Sequence, residues 1–481
     1  MILPLLLLFA AAPDTPSTKD VEDALTKLVR VFITVQREAA DPVNSEQALY
    51  QGAIPGMLRR LDPHSVFFDP GQFQQLQEME RSQSKGFGSV VSVLPGRVIV
   101  LQALPGTPSA KSGLSPGDEI LAINNVSLAS LVFEQLIEFL GMSRQQTAHL
   151  VVRRSGNARL LEFTLNPELV ETPSVDRAYL LSPGVGYVRV ASFDPPTGKL
   201  VQQSIEKLGG AKLTGLVLDL RNNPGGVVEA ALQTAALFLK PGQKILSIKG
   251  RNVKDEEVEV PKGLTPYTFP VAVLVNEKSA SASEIVAGAL QDHDRAVVIG
   301  EPSFGKGLVQ RVMPLTGNTA IALTTAFYYT PSGRSIQKPL KAGQLTIGKL
   351  RPEFKTDAGR TVMGGGGIQP DFIVTPEPTT ALRAALEGSG TITNFATEFN
   401  QKQKIGVGFE VTPAILDDFQ VYASGRNIQP GVGEWIRERT WVQNRLTQEI
   451  VNQGLGVALG DEVEARRDPV IKVALEKIAA R

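Results

Sequence analysis

The sequence predicts an α/β protein: a parallel or mixed sheet with helices, joined by a β-rich module, N-terminal helices and a helical C-terminal extension. Three observations support this prediction. Short β-branched apolar runs alternate with amphipathic helical patterns in the middle of the chain, which is typical of βαβ units. Short strands separated by glycine-containing turns precede them, and helical patterns follow them. At 481 residues the chain is long enough for several hydrophobic cores.

The N-terminal region begins with an apolar run, Met1 to Ala12, that ends in small residues. It resembles a secretory signal peptide but lacks a positively charged start, and a membrane-spanning helix would need about 20 residues. We expect cleavage near Ala12; the alternatives are an uncleaved anchor or a misassigned start. Helical periodicity is predicted next, over Thr18 to Ala40 and Ser45 to Leu61. The expected segments are a signal peptide or short anchor (1–12), N-terminal helices (13–82), a β-rich domain (83–168), the α/β core (169–376) and a helical extension (377–481).

The β-rich domain shows short strand patterns around one helical pattern. The predicted strands are Ser89 to Leu94, Val98 to Ala103, Glu119 to Ile123 and Ala148 to Arg154, and the helix is Leu131 to Leu140. This arrangement resembles a PDZ domain, which binds a chain end by strand addition and holds its carboxylate with loop N–H groups. The expected carboxylate loop is Gly86-Phe87-Gly88-Ser89-Val90, a glycine-flanked turn before an apolar strand. The alternative is a small β-domain that only packs on the core.

The α/β core contains three buried strand patterns, each followed by a polar or glycine-rich loop. The predicted strands are Thr214 to Leu220, Val271 to Asn276 and Ala296 to Gly300, and the helices are Val228 to Leu239 and Ser281 to Asp292. In right-handed βαβ units the loops after parallel strands lie at one edge of the sheet, where α/β proteins place their ligands. We therefore expect the Arg221–Gly226 turn, Ser281 and Lys306 to meet at that edge.

The serine and lysine at this edge suggest nucleophilic chemistry. A serine hydroxyl is a weak nucleophile until a base takes its proton, and a lysine can do so only when neutral. Free lysine titrates near ~10.4, so the fold would have to shift its pKa by about three units. Gln310, four residues beyond Lys306, can orient the amine without restoring its charge. The apolar residues expected to desolvate the amine are Phe304, Leu308 and Val309.

Each of these residues also has a plainer interpretation. Ser281 could be a helix cap, Lys306 a solvated surface residue and the Asn-Pro-Gly-Gly sequence a tight turn. Their joint placement at one edge favours a hydrolase. The competing triads are weak, because the sequence has no G-x-S-x-G motif. Its histidines are His64, His149 and His293, which we interpret as structural.

These motifs together resemble the C-terminal processing peptidases, also called tail-specific proteases. The matching stretches are GAIPGMLRRLDPHS, GFGSVVSV, GLSPGDEILAINN, LVLDLRNNPGG, NEKSASASEIVAGALQD, GEPSFGKGLVQ, YYTPSGRSIQ and GIQPD. The resemblance implies a crotonase- or Clp-protease-like core and a catalytic Ser281–Lys306–Gln310 arrangement, with Ser281 selected from three serines. It implies oxyanion donors from the N–H of Ala282 and from Gly225 or Gly226, which the sequence does not separate.

The family pattern is not matched everywhere. Many relatives carry an Arg-Gly pair after the PDZ helix, where this chain has Phe139-Leu140-Gly141-Met142. Activation of the peptidase through that arginine is therefore not expected. The extension after Glu377 has helical patterns at Thr379 to Leu386, Gly433 to Ala458 and Asp468 to Ala480 but no chemical motif, so packing, dimerisation and substrate tethering stay open.

Composition narrows the remaining possibilities. The chain has 49 basic and 49 acidic residues, which argues against nucleic acid as the main partner, and no cysteine, so thiol chemistry is excluded. No Walker A loop is present, and we expect no metal, cofactor or ATP requirement. We expect protein or peptide substrates with apolar C-terminal ends and an adaptor or activator protein, and the resemblance supports a homodimer through the N-terminal helices. The apolar leader predicts a periplasmic or cell-envelope location, with anchoring to the inner membrane as a variant. The alternatives are a catalytically silent PDZ scaffold for envelope proteins and an acyl transferase or isomerase.

Overall fold

The computed structural model describes residues 17–80, 83–154, 156–339 and 351–480. The predicted leader, Met1 to Ala12, lies outside these residues. The chain divides into two compact units: the first contains the described residues up to Pro70 together with Val312–Leu323, and the second contains Gly71–Arg311 and the chain from Thr324 onward. No helix in the described ranges combines the length and apolar character needed to cross a bilayer.

The first unit is mainly helical. Its elements are α1 (Thr18–Glu38), α2 (Ser45–Gln47), a π-helical stretch (Ala48–Ala53), α3 (Ile54–Leu61) and β1 (Val66–Phe68). Ser17 caps α1, and a reciprocal hydrogen bond with Asp20 completes a capping box. β1 pairs antiparallel with Ala320–Ala322. Apolar side chains of α1 such as Leu25 and Leu28 are at least half exposed.

The β-rich part of the second unit is built around one antiparallel sheet. Its elements are α4 (Pro70–Glu80), β2 (Gln83–Gly86), β3 (Ser89–Leu94), β4 (Arg97–Ala103), α5 (Pro108–Ser112), β5 (Glu119–Ile123), β6 (Val126–Ser127), α6 (Phe133–Ser143), β7 (Ala148–Arg153), β8 (Leu161–Leu165) and β9 (Glu168–Glu171). The strand order is β3-β4-β5-β7-β8, with β6 on β5, while β2 pairs with β9. Alternating residues such as Val98, Val100 and Leu150 pack under Leu136 of α6 and form its core. The four predicted strands are β3, β4, β5 and β7, and the predicted helix is α6, which begins two residues later and ends three residues later than expected; β2, β6, β8 and β9 were not predicted.

A mixed six-stranded sheet forms the α/β core. Its elements are β10 (Val175–Ser182), β11 (Val185–Val190), α7 (Thr197–Leu208), β12 (Gly215–Asp219), α8 (Val228–Ala236), β15 (Val271–Val275), α9 (Ala282–Asp292), β16 (Ala296–Gly300) and β21 (Phe372–Ile373). The order is β10-β11-β12-β15-β16-β21; only the β10–β11 pair is antiparallel. The predicted α/β class, with its parallel strands and intervening helices, is confirmed.

The chain between and after the strands of the six-stranded sheet forms further strands that pair antiparallel. They are β13 (Lys244–Gly250), β14 (Val253–Glu259), β17 (Leu308–Pro314), β18 (Ala320–Tyr329), β19 (Glu353–Lys355) and β20 (Thr361–Met363). β13 pairs with β14 and with Phe327–Tyr329 of β18. β19 pairs antiparallel with β20 in a two-stranded hairpin.

The C-terminal extension is a helical layer with its own core. Its helices are α10 (Ala381–Gly388), α11 (Thr391–Lys402), α12 (Pro413–Ser424), α13 (Val432–Leu455), α14 (Val457–Ala465) and α15 (Pro469–Ala479). Phe395, Phe419 and Leu446 lie at the centre of that core. The sequence predicted α10, α13 and α15 but not α11, α12 or α14. α11 begins Thr-Ile-Thr, and β-branched residues have low intrinsic helix propensity, so tertiary packing decides this helix.

The two faces of the six-stranded sheet are covered by different parts of the chain. Leu216 and Leu218 of β12 point to the face that packs against α7, α8 and α9. Val217 points the opposite way, into a cluster with Ile471 and Ile478 of α15. We call the side covered by α15 the second face. This alternation is the period-2 pattern of a strand buried on both sides.

Candidate active site

Ser281 sits at the turn from β15 into α9 in a strained conformation. Its backbone has φ 54° and ψ −112°, a region that non-glycine residues rarely occupy. Such strain costs about 1–3 kcal/mol and persists only where surrounding contacts impose it. The side chain lies at the start of α9, where the helix dipole favours developing negative charge.

Lys306 lies in the loop between β16 and β17 and contacts the predicted glutamine. Its Nζ donates to Oε1 of Gln310, 2.5 Å away, because β17 begins at Leu308 and even spacing puts both residues on one side. Leu308 is buried, and Val309 packs against the sheet core. Phe304 is 46% exposed, so only two of the three apolar residues expected to desolvate the Lys306 amine are withdrawn from solvent.

Glu284, in the first turn of α9, joins the two loops. Its Oε2 accepts the N–H of Ser281 at 2.8 Å and the N–H of Lys306 at 2.9 Å. Its Oε1 accepts the N–H of Gly305 and the hydroxyl of Ser303. One buried carboxylate therefore holds the backbones of the serine and lysine against each other. The Ser-x-x-Glu spacing at a helix start was the available sequence signal.

The charge state of Glu284 follows from its environment. Burial raises the pKa of this carboxyl, and hydrogen bonds from Ser303, Lys306, Ser281 and Gly305 offset only part of that rise. All four of these partners donate to the carboxylate, so its ionised form matches them and an amide side chain would not.

Tyr328 of β18 contacts the same two residues from the carbonyl side. Its hydroxyl lies 2.6 Å from the carbonyl oxygen of Lys306 and 3.1 Å from that of Ser281. Burial, and then the charge of Glu284, raise the pKa of Tyr328 well above its ordinary value, so it stays a neutral donor. Tyr328 begins the matching stretch YYTPSGRSIQ, but its role could not be predicted from the sequence, because its contacts are 22 and 47 residues away along the chain.

The glycine turn after β12 reaches the serine loop, as the topology predicted. The carbonyl of Asn223 accepts the N–H of Ala280 and the hydroxyl of Ser283, both at 3.0 Å. A Cβ placed on Gly225 would lie 2.7 Å from the carbonyl oxygen of Ala280 and 2.9 Å from Cβ of Ser281. Only glycine fits this approach, and its φ of 101° favours glycine as well.

The two glycines of the turn differ in their hydrogen bonds. The N–H of Gly225 donates to Oδ1 of Asn223 at 2.8 Å. Gly226 is exposed, and its carbonyl-side neighbour Val227 donates to Phe193. Within the described structure, the N–H groups of Gly226 and of Ala282 donate no hydrogen bond. The sequence could not decide whether Gly225 or Gly226 would donate to an oxyanion, and this difference in hydrogen bonding bears on that choice.

The predicted carboxylate loop of the β-rich domain lies between β2 and β3. The carbonyl of Phe87 accepts the N–H of Ser109, and that of Gly88 accepts the N–H of Leu104. Gly88 has φ 72°, and a Cβ there would meet the side chain of Thr107 at 2.3 Å. The strand that follows, β3, contains Ser89 and Val90, and Gly86 ends β2.

Each of the three histidines makes a hydrogen bond through its backbone or its ring. The N–H of His64 donates to Asp62 within its own turn, and His149 contacts Thr164 on the neighbouring strand. His293 ends α9 and contacts Asp357. These contacts are consistent with structural roles.

Comparisons with known proteins define the class of protein as a PDZ-containing serine peptidase. The profile of peptidase family S41 matches residues 184–343, and that of the PDZ domain matches residues 76–153. The first range contains β11, β12, β15 and β16 with the three loops that follow β12, β15 and β16, and the second contains β2 to β7 of the β-rich domain.

Curated relatives define the family further. A carboxy-terminal-processing protease of Bartonella bacilliformis is 34% identical over 69% of this chain and 77% of its own length. The carboxy-terminal processing protease CtpB of Bacillus subtilis is 30% identical over 72% of each chain. Among solved structures, the photosystem II D1 C-terminal processing protease is 25% identical with a TM-score of 0.41, covering 76% of this chain and 90% of that one. The chain belongs to the carboxy-terminal processing proteases of peptidase family S41.

Proposed function

We propose that the chain hydrolyses peptide bonds with Ser281 as nucleophile, Lys306 as general base and Gln310 as the residue that orients the amine. The supporting observation is that one carboxylate oxygen of Glu284 binds the N–H groups of both Ser281 and Lys306, while Lys306 Nζ donates to Gln310. Ser281 attacks the scissile carbonyl, and Lys306 takes the hydroxyl proton and returns it to the leaving amine. A second attack, by water, releases the acyl chain and restores the serine.

The tetrahedral intermediate needs donors aimed at its oxyanion. We assign this role to the N–H groups of Ala282 and Gly226, because the N–H of Gly225 donates to Asn223. Gly225 instead allows the turn to approach Ser281 without a side chain in between. The start of α9 adds favourable electrostatics.

The β-rich domain supplies recognition in this proposal. The loop Gly86-Phe87-Gly88-Ser89-Val90 holds the terminal carboxylate of an apolar protein end, and the substrate chain then reaches Ser281. The same proposal includes the five segment limits given above, export to the periplasm or cell envelope, independence of ATP and metal, and a homodimer through the N-terminal helices. Its support for a dimer is the exposed apolar face of α1, including Leu25 and Leu28.

The test is cleavage of an unstructured protein with an apolar C-terminus, without ATP and with EDTA present. Wild type should cleave it, whereas Ser281→Ala and Lys306→Ala should each lose at least about 10³-fold in kcat/KM while remaining folded. Lys278→Ala, which removes an exposed lysine three residues before Ser281, is the matched control and should retain wild-type turnover.

The other outcomes distinguish the alternatives. Cleavage by the Ser281→Ala variant would overturn the site assignment, and a retained rate in Lys306→Ala would overturn the dyad. Binding of tailed protein without cleavage by wild type would favour the scaffold.

A further inference from the structure

The last helix of the extension is part of the sheet that bears the catalytic loops. Ile471, Ala474 and Ile478 of α15 bury the second face together with Val217 and Leu274. The approach is close, since a Cβ on Gly215 of β12 would lie 2.3 Å from Cγ2 of Ile478. α15 therefore covers the strand that leads directly into the glycine turn.

An ion-paired chain connects the start of α15 to that turn. Asp468 is the N-cap of α15, and its Oδ1 accepts the N–H groups of Val470 and Ile471. Its Oδ2 accepts Nη1 of Arg221 at 2.5 Å. Arg221 also donates from Nε and Nη2 to Asp219, whose Oδ2 accepts the hydroxyl of Tyr187.

The environment of Arg221 favours its charged form. Burial alone would lower the pKa of Arg221, but the charges and hydrogen bonds of Asp219 and Asp468 raise it above its ordinary value. The Asp219 side chain is almost fully buried, and those of Arg221 and Asp468 are about four-fifths buried. Ion pairs so withdrawn from solvent hold a defined geometry better than exposed ones.

Arg221 is the first residue of the Arg221–Gly226 turn, so its position sets where the turn begins. The next residue, Asn222, has φ 60°, and its N–H donates to Oδ1 of Asn276. Asp219 holds Arg221 from within its own strand end, whereas Asp468 holds it from a helix 247 residues away. The extension thus contributes one side chain to the support of the turn.

We propose that Asp468 is a positioning residue for the oxyanion turn: through Arg221 it sets the placement of the Gly226 N–H relative to Ser281. The extension is then a working part of the peptidase rather than a tether. This inference rests on the proposed function of Ser281 and of the turn.

The test replaces Asp468 with asparagine. Asparagine caps helices about as well as aspartate, so Asp468→Asn preserves the start of α15 and removes only the charge that faces Arg221. Asp461→Asn is the matched control: Asp461 lies in the same extension, is equally buried and pairs with Arg177 and Arg189 of β10 and β11 instead of the turn.

Three quantities are measured: kcat, KM and the inhibition constant of a peptide aldehyde, whose hemiacetal oxygen occupies the oxyanion position. We expect Asp468→Asn to lower kcat and aldehyde affinity together by roughly tenfold, with KM within about twofold. Asp461→Asn should leave all three close to wild type. Active-site titration normalises the rates to folded enzyme, so partial unfolding does not imitate the effect.

Equal kinetics in the two variants would overturn the inference, as would a loss of kcat without loss of aldehyde affinity. Turnover in Ser281→Ala would instead overturn the proposed function itself. The two failures are thereby separated.

Discussion

The peptidase site and the carboxylate loop of the PDZ domain are held in place by different means. At the peptidase site, the side chains of Glu284 and Tyr328 bind the backbone groups of Ser281 and Lys306. The loop around Gly88 is held mainly by backbone hydrogen bonds within its own domain, with one side-chain bond from the hydroxyl of Thr107 to the carbonyl of Gly88. The first site therefore depends on single side chains brought from separate elements, and the second depends on local backbone conformation. Substitutions should affect the two sites differently.

The largest effect is expected where the glycine turn meets the serine. Gly225→Ala would place a methyl group 2.9 Å from Cβ of Ser281, so the turn or the serine loop must shift. We expect kcat to fall at least about 10²-fold on every substrate, because a shift of the oxyanion donors affects the chemical step. Gly242→Ala is the control: it has a positive φ of 81° but open space around it. Similar losses in both variants would attribute the effect to backbone strain.

Glu284→Gln should be nearly as damaging. An amide offers one oxygen and two N–H donors to four donor groups, so two of the four bonds are lost. We expect kcat to fall by roughly 10–10²-fold with little change in KM. Glu438→Gln, a buried glutamate of the extension paired with Arg383, should leave turnover unchanged.

The same substitution has a pH signature. Because burial raises the pKa of Glu284 above 4.5, the folded protein binds this proton more tightly than the unfolded chain. The contribution of Glu284 to stability therefore increases as pH falls from neutrality through the folded pKa towards 4.5. As the pH is lowered over that interval, the unfolding free energy of wild type should rise relative to that of Glu284→Gln. A decrease would contradict the raised pKa of Glu284.

A substitution in the carboxylate loop of the PDZ domain should leave the catalytic step at Ser281 unchanged. Gly88→Ala forces a methyl group into Thr107, and we expect KM for proteins with free apolar C-termini to rise about tenfold. Turnover of a short peptide with a blocked C-terminus should be unchanged. Gly106→Ala, in the same domain with φ 79° and open space, is the control. Equal losses on both substrates would show that the domain is structural.

Tyr328→Phe tests the peptidase site with a smaller expected loss of kcat. It removes one hydroxyl from the carbonyls of Lys306 and Ser281 without changing shape, and we expect kcat to fall about 3- to 10-fold. Tyr422→Phe removes a hydroxyl that bonds Glu398 in the extension and should not affect kcat. Unchanged kcat in Tyr328→Phe would mean that Glu284 alone suffices.

The smallest effect concerns the stability of the PDZ domain. Burial would raise the pKa of Glu119, but the hydrogen bonds and charges of Arg97 and Arg153 lower it below its ordinary value. Its stabilising effect is present above about pH 4.5 and is lost as pH falls through the lower, folded pKa. Glu119→Gln should cost about 1 kcal/mol at pH 7 and less at pH 3. Denaturant unfolding at both pH values, with exposed Glu162→Gln as control, measures this difference.

Much of the fold and part of the site could be predicted from the sequence. The βαβ periodicity placed β12, β15 and β16 and the loops that follow them, because parallel topology leaves few choices for where those loops go. The spacing of Lys306 and Gln310 placed both on one side of a strand, and the structure shows their contact. These features depend on local pattern and on chain direction, which are written along the sequence.

Only the tertiary structure decided which side chains hold those loops together and what covers the second face. Tyr328 contacts Ser281 across 47 residues, and Asp468 contacts Arg221 across 247, and neither spacing leaves a periodic signal. The same reason applies to α11, whose helix forms through packing against the aromatic core of the extension. Local periodicity determines elements, whereas contacts between distant elements depend on how those elements pack, which no single stretch of sequence encodes.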